Sequence, residues 1–156
     1  MTYIDVVENE MNLSSDEPVF SGGASDKVIA EFEKALGVQF PPSYKLFLKK
    51  IGALSFGGNT YYGITKGGLT AAEVPCVFFA TKDARDAGDA DSKMIVVKAS
   101  GYGPLFSIDT SQLSSSGEAV VVLTELSFKR DGAKEVMYDS FESFFCDTVR
   151  TSIAEL

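Results

Sequence analysis

The apolar residues of this chain change period at Gly52 and again at Asp139, and that switch limits which folds are open to it. Val28, Ile29, Phe32, Ala35 and Leu36 recur at helical spacing behind Ser25, a favourable N-cap, with Asp26 in the first turn and Gly37 as the stop. Pro41-Pro42-Ser43 then places proline in the first turn of a second helix, where a missing N–H costs nothing. Its Tyr44, Phe47, Leu48 and Ile51 line one face and Lys45, Lys49 and Lys50 the other, as far as Gly52. The two helices are expected to form an αα-hairpin.

Between Gly52 and Asp139 the pattern is one of short β-rich runs: Asn59–Ile64, Cys76–Ala80, Met94–Lys98, Leu105–Asp109, Ala119–Leu123 and Lys134–Tyr138. The Cys76–Ala80 run borders the charged stretch Lys82–Asp91, so it reads either as a strand or as part of a helix that includes Ala71, Ala72 and Glu73. Gly101-Tyr102-Gly103-Pro104 is a turn that predicts an antiparallel hairpin. From Asp139, paired with Glu142 as a capping box, Phe141, Phe144, Phe145, Val149 and Ile153 resume the helical period. Strands clustered between helices, without regular alternation, predict an α+β domain with a mostly antiparallel sheet, a helical hairpin before it and a helix after it. The length suits one domain over residues 1–156, able to bury a full core without disulfide or metal staples.

Composition narrows the chemistry. The chain has no His, which removes the commonest general base, the commonest metal ligand and the Ser-His and Cys-His nucleophile pairs. Cys76 and Cys146 are too few for a zinc site or disulfide framework and read as buried thiols. The glycine pairs Gly22-Gly23, Gly57-Gly58 and Gly67-Gly68 lack the Gly-Lys-Ser/Thr ending of a phosphate loop. No catalytic residue, no metal site and no cofactor is therefore expected. The first residues carry no positive n-region and no apolar h-region, and no apolar run is long enough for a membrane span, so a cytoplasmic, reduced domain is expected.

Net charge is −8, unevenly placed. Residues 1–33 hold eight acids against Lys27, whereas residues 34–82 hold six lysines against Glu73. A net acidic chain is a poor nucleic-acid binder, because phosphate contact needs a basic footprint. It is better suited to a basic protein.

The ordered series Leu36-Gly37, Phe40-Pro41-Pro42-Ser43-Tyr44, Phe47-Leu48, Ile51-Gly52, Phe56-Gly57-Gly58 and Tyr62-Gly63-Ile64 resembles the amino-terminal signature of the SUKH superfamily, named for yeast cell-wall assembly regulators and related proteins. Met94-Ile95-Val96-Val97, Gly101-Tyr102-Gly103, Phe106-Ser107-Ile108-Asp109 and Asp139-Ser140-Phe141-Glu142-Ser143-Phe144 continue it, over about residues 21–150. Pro42 departs from the variable polar residue usual there. The resemblance makes Gly37, Pro41, Tyr44, Phe47, Leu48, Gly52, Asp109, Phe141 and Phe144 the structural motif. It implies a protein-binding module with a sheet backed by helices. Single-domain bacterial members are similar to immunity proteins that neutralise a cognate toxin, often a nuclease or deaminase. Eukaryotic members imply the alternative, a scaffold or regulatory adaptor.

The leading contact candidates are Asp83, Asp86, Asp89 and Asp91, read as a loop or frayed helix rich in small alanines. Their spacing lacks the Asp-x-Asp-x-Asp-Gly pattern and distal Glu of a calcium loop. Tyr61, Tyr62 and Tyr102, beside glycine-rich turns, are the aromatic contact candidates, although alternation along a strand sends Tyr61 and Tyr62 to opposite faces. Glu10, Asp16, Glu17, Glu31 and Glu33 form a second acidic area only if the amino-terminal segment folds back on the helix after Ser25. The Asp109 carboxylate, before Thr110-Ser111, is expected to accept hydrogen bonds from nearby backbone N–H groups.

Overall fold

A computed structural model describes residues 1–125 and 132–156. The helix behind Ser25 forms as α2 (Asp26–Leu36), with the Ser25 hydroxyl accepting from the Val28 N–H and Gly37 closing it at φ 69°. Replacing Ser25 by alanine is expected to cost about 1 kcal/mol, read as a shift in the urea midpoint at constant slope. The next helix, α3 (Pro42–Lys50), has Pro41 as N-cap with no capping side chain of its own. Its open N–H groups are served from elsewhere: Glu118 accepts from the Ser43 N–H at 3.3 Å and from the Ser43 hydroxyl at 2.6 Å. The hairpin is antiparallel, clamped by Lys49–Asp26 at 2.8 Å and Lys45–Glu33 at 3.5 Å.

Two antiparallel sheets follow. The first joins β1 (Val19–Phe20), β2 (Leu54–Phe56) and β3 (Asn59–Tyr61) in that order. Gly57 and Gly58 turn the β2–β3 hairpin with φ of 58° and 78°, a pair that a two-residue turn of this hand requires and that side-chain-bearing residues resist. The second sheet runs β4 (Met94–Ala99), β5 (Leu105–Leu113), β6 (Ala119–Thr124) and β7 (Glu135–Tyr138), each paired with the next. The Gly101–Pro104 turn joins β4 to β5, with the Ser100 N–H bonded to the Pro104 carbonyl at 3.0 Å. The sheets meet where the Tyr62 N–H donates to the Val97 carbonyl at 2.8 Å.

The last helix, α5 (Phe141–Ala154), is capped by Ser140, whose hydroxyl accepts from the Ser143 N–H. Asp139 stands one residue outside, so the expected Asp139–Glu142 capping box does not form. Phe144 of α5 touches Tyr61 of the first sheet at 6.0 Å and Phe106 and Tyr138 of the second at 5.3 and 5.5 Å between ring centroids. Phe141 packs on Tyr44 and Phe47 of α3 at 4.9 and 5.2 Å. One apolar cluster draws on all five helices and both sheets.

Four elements go beyond or resolve the sequence reading. The Cys76–Ala80 run is no strand: it opens α4 (Val77–Ala87), which ends at Gly88 with φ 82°. Val77, Ala80, Thr81 and Ala84 are its buried positions, a stripe at i, i+3, i+4 and i+7 masked in sequence by the β-prone Val-Phe-Phe start. Ala71–Glu73 lie outside it, after a 3-10 turn at Gly68–Thr70. An unforeseen amino-terminal helix, α1 (Tyr3–Asn12), begins with a Thr2–Asp5 capping box and buries Ile4, Val7 and Met11. It packs on α3 and α5 rather than on α2. β1 and β2 were likewise not foreseen. Cys76 is buried as expected, whereas Cys146 is only half-buried.

Candidate protein-binding surface

α4 is the element that displays the acidic stretch, and its placement follows from what its inner face does. β4 is an edge strand, and an edge presents unpaired backbone groups that must be bonded or covered. The Thr81 hydroxyl accepts from the Val96 N–H at 2.9 Å, and Arg85 donates to the Met94 carbonyl at 3.0 Å and to the Leu36 carbonyl at 2.8 Å. α4 therefore seals the edge of β4 and ties it to the end of α2. Burial pulls the Arg85 guanidinium below its ordinary pKa, with nearby Asp91 acting in the opposite direction.

With that face committed, Asp83 and Asp86 project outward at i and i+3, both exposed. Asp86 pairs with Lys82 at 3.2 Å, but both side chains are more than half exposed, so the pair is weak and screened by salt. Asp89 follows the Gly88 turn, half-buried, with its N–H on the Ala84 carbonyl at 2.8 Å.

Asp91 does not belong to this face. Its carboxylate pairs with Lys134 at 2.7 Å and accepts from the Lys93 N–H at 2.9 Å. Lys134 also bonds Asp109 at 2.9 Å, so one ammonium locks the approach to β7, strand β5 and the connection before β4. Asp109 has no exposed surface. Where the β5–β6 register shifts beyond it, Ser111 gives it an N–H at 3.0 Å and a hydroxyl at 2.6 Å, and Gln112 an amide at 2.8 Å. Burial alone would raise this carboxyl, but the bonds from Ser111, Lys134 and Gln112 hold it below the usual carboxylate range. Every oxygen is occupied, and the group is structural.

The tyrosines separate as well. Tyr61, expected as a contact residue, is fully buried against Phe144 and Phe145, with its hydroxyl 2.7 Å from that of Thr148. Tyr62 is 9% exposed, its backbone bridging Val97 and the Tyr44 hydroxyl. Both positions of the β3 end are covered because one face meets α5 and the backbone meets β4. Tyr102 remains exposed, at 76%. It lies beyond the Ala99 end of β4, whereas Asp89 lies before the Met94 end, with the strand of about 17 Å, five steps of roughly 3.3 Å, between them.

The second acidic area does not assemble. Glu10 is held by Arg150 at 2.9 Å, Asp16 accepts from the Gly57 N–H at 2.7 Å, and Glu33 accepts from the Phe40 N–H at 2.7 Å. Sequence reasoning missed the anchors Thr81, Arg85 and Lys134. Thr81 and Arg85 are four apart, a signal legible once the stretch is taken as helix, whereas nothing local marks Lys134 as the partner of Asp109. Among the described residues no group of carboxylates or thiols is gathered to hold a metal ion, and no helix is long and apolar enough to cross a membrane.

Two antiparallel sheets, a helical hairpin and a carboxy-terminal helix around an aromatic core, with charged side chains on the outer face of α4, define an α+β scaffold. The SUKH_6 family, described as SMI1-KNR4 cell-wall, matches residues 26–145, from the start of α2 into α5, and the chain belongs to that family. α1 and β1 precede the matched span.

Proposed function

We propose that this chain is a cytoplasmic immunity protein, which binds a basic toxin of the nuclease or deaminase class one-to-one and masks it without catalysis. The observation that carries the reading is the outward face of α4, where Asp83 and Asp86 stand clear of the bonds that anchor the helix and Asp89 stands at its end. Family membership and the net charge of −8 support it. An enzyme that holds phosphate needs a basic surface, so an acidic inhibitor is steered to it and competes for the same field. A scaffold or adaptor role is the second reading, favoured by the family's cell-wall description.

Co-expression with candidate toxin domains of the nuclease and deaminase classes, taken first from reading frames beside this gene, tests the reading. Cell survival and co-purification of a one-to-one complex are expected, and death without a complex would overturn it in favour of the adaptor. The double variant Asp83→Lys/Asp86→Lys is expected to slow association on the order of tenfold at low salt and to flatten its salt dependence. Its stability should stay within about 0.5 kcal/mol, because both side chains are exposed and bond nothing in the core.

A further inference from the structure

A groove of about 850 Å³ lies between the α2–α3 connection and the far end of the β5–β6 hairpin. Its apolar lining includes Val38 and Ala119, both buried, Pro42, and Leu113, which is 69% exposed. A leucine left so bare at the mouth of a concave apolar surface is a ready anchor for a partner side chain.

The charges of the groove are asymmetric in a way that selects an occupant. Its two carboxylates are spent. Glu33 is bonded to the Phe40 N–H at 2.7 Å with Lys45 beside it at 3.5 Å, and Glu118 caps α3 through Ser43. Its two lysines are not spent: Lys34, on the last turn of α2, and Lys93, before β4, have no ion-pair partner among the described residues. They come from separate segments of the chain. The Lys93 backbone is fixed, since its carbonyl accepts both the N–H and the hydroxyl of Thr110, at 2.9 and 2.7 Å.

We propose that this groove is a docking site for an extended segment of a protein partner that carries carboxylates flanking a large apolar side chain. The apolar side chain packs on Leu113 and Val38, and the carboxylates meet Lys34 and Lys93. The site is distinct from the acidic face of α4 and opposite in charge. The end of α2 links the two elements, because Arg85 on the inner face of α4 is bonded to the Leu36 carbonyl and the next residue, Gly37, lines the groove. A partner meeting both surfaces would be fixed in orientation by opposite charges at the two contacts. The groove does not depend on the toxin reading and stands whichever partner α4 takes.

A library of random dodecapeptides displayed on phage and selected against the full chain tests this. The enriched peptides are expected to carry Asp or Glu on both sides of Leu, Ile, Phe or Met. Synthesised and titrated into the 15N-labelled protein, they should shift the amides of Gly37–Phe40, Lys93 and Ser111–Leu113. Lys34→Glu/Lys93→Glu should weaken them at least about tenfold, and Asp83→Lys/Asp86→Lys should not weaken them. Should the reversal disturb the fold by circular dichroism, Lys34→Gln/Lys93→Gln serves in its place. Absence of enrichment, enrichment of basic or charge-free peptides, or affinity unchanged by either lysine variant would overturn the proposal.

Discussion

Phe144→Ala is expected to lower stability by about 3–5 kcal/mol, the range for removing a buried phenylalanine from a packed core. Its ring is fully buried and reaches Tyr61, Phe106, Tyr138 and Phe141, so it joins the first sheet, the second sheet and the root of α5. None of these neighbours can close the gap alone, because each is held on a different element. The loss should appear as a fall in melting temperature on the order of 10 °C and a lower urea midpoint. Phe144→Leu should recover part of it, since it refills some of the cavity. A change below about 1 kcal/mol for the alanine variant would mean that α5 does not bridge the sheets as described.

Asp109→Ala is expected to cost about 3 kcal/mol, the low end for breaking a buried ion pair. The low end applies because Lys134 keeps Asp91 at 2.7 Å and is not left as an unpaired charge, while the Ser111 and Gln112 donors lose their acceptor. The pH dependence has a definite sign. With its folded pKa depressed, Asp109 contributes stability that is fully present above the unfolded carboxylate pKa of about 3.9 and is lost as pH falls through the folded pKa. Lys134 is shifted the other way: burial lowers its pKa, but Asp91 and Asp109 more than offset that. Its contribution is present below the unfolded lysine pKa of about 10.4 and is lost as pH rises through the folded value. The stability difference between the native protein and Asp109→Asn should therefore be flat from about pH 5 to pH 9 and narrow below about pH 4. A difference that instead widened in acid would refute the assignment of Asp109 as an ionised, hydrogen-bonded anchor.

What could be read from sequence was what is encoded locally. α2 and α5 announce themselves by an apolar stripe at helical spacing, and α3 adds proline at its start. β4, β5, β6 and β7 stand as β-rich runs bounded by turn residues. α4 is left open between strand and helix by Cys-Val-Phe-Phe, a run whose β propensity is overridden because Thr81 and Arg85 have backbone partners on the β4 edge that the helix covers. α1 carries its signal in the Thr2–Asp5 capping box and in Ile4, Val7 and Met11 at helical spacing, a stripe of only three apolar positions.

The site was legible in part for the same reason. Asp83 and Asp86 are outward because the helix has an inner face to satisfy. Asp91 and Asp109 depend on Lys134, and Tyr61 and Tyr62 on α5 and β4, distant partners that no local pattern reveals. The lysine-lined groove is assembled from α2, the segment before β4 and the β5–β6 hairpin, so only the folded chain brings it together.

The proposed meeting of the α4 face with a basic partner is tested most directly by the rate at which this protein associates with a basic toxin domain that it is found to neutralise, measured across a range of salt. The rate is expected to fall steeply as salt rises, and the Asp83→Lys/Asp86→Lys variant to be slower at low salt with a much shallower slope. Equal rates and equal slopes for the two proteins would contradict it and remove α4 from the interface.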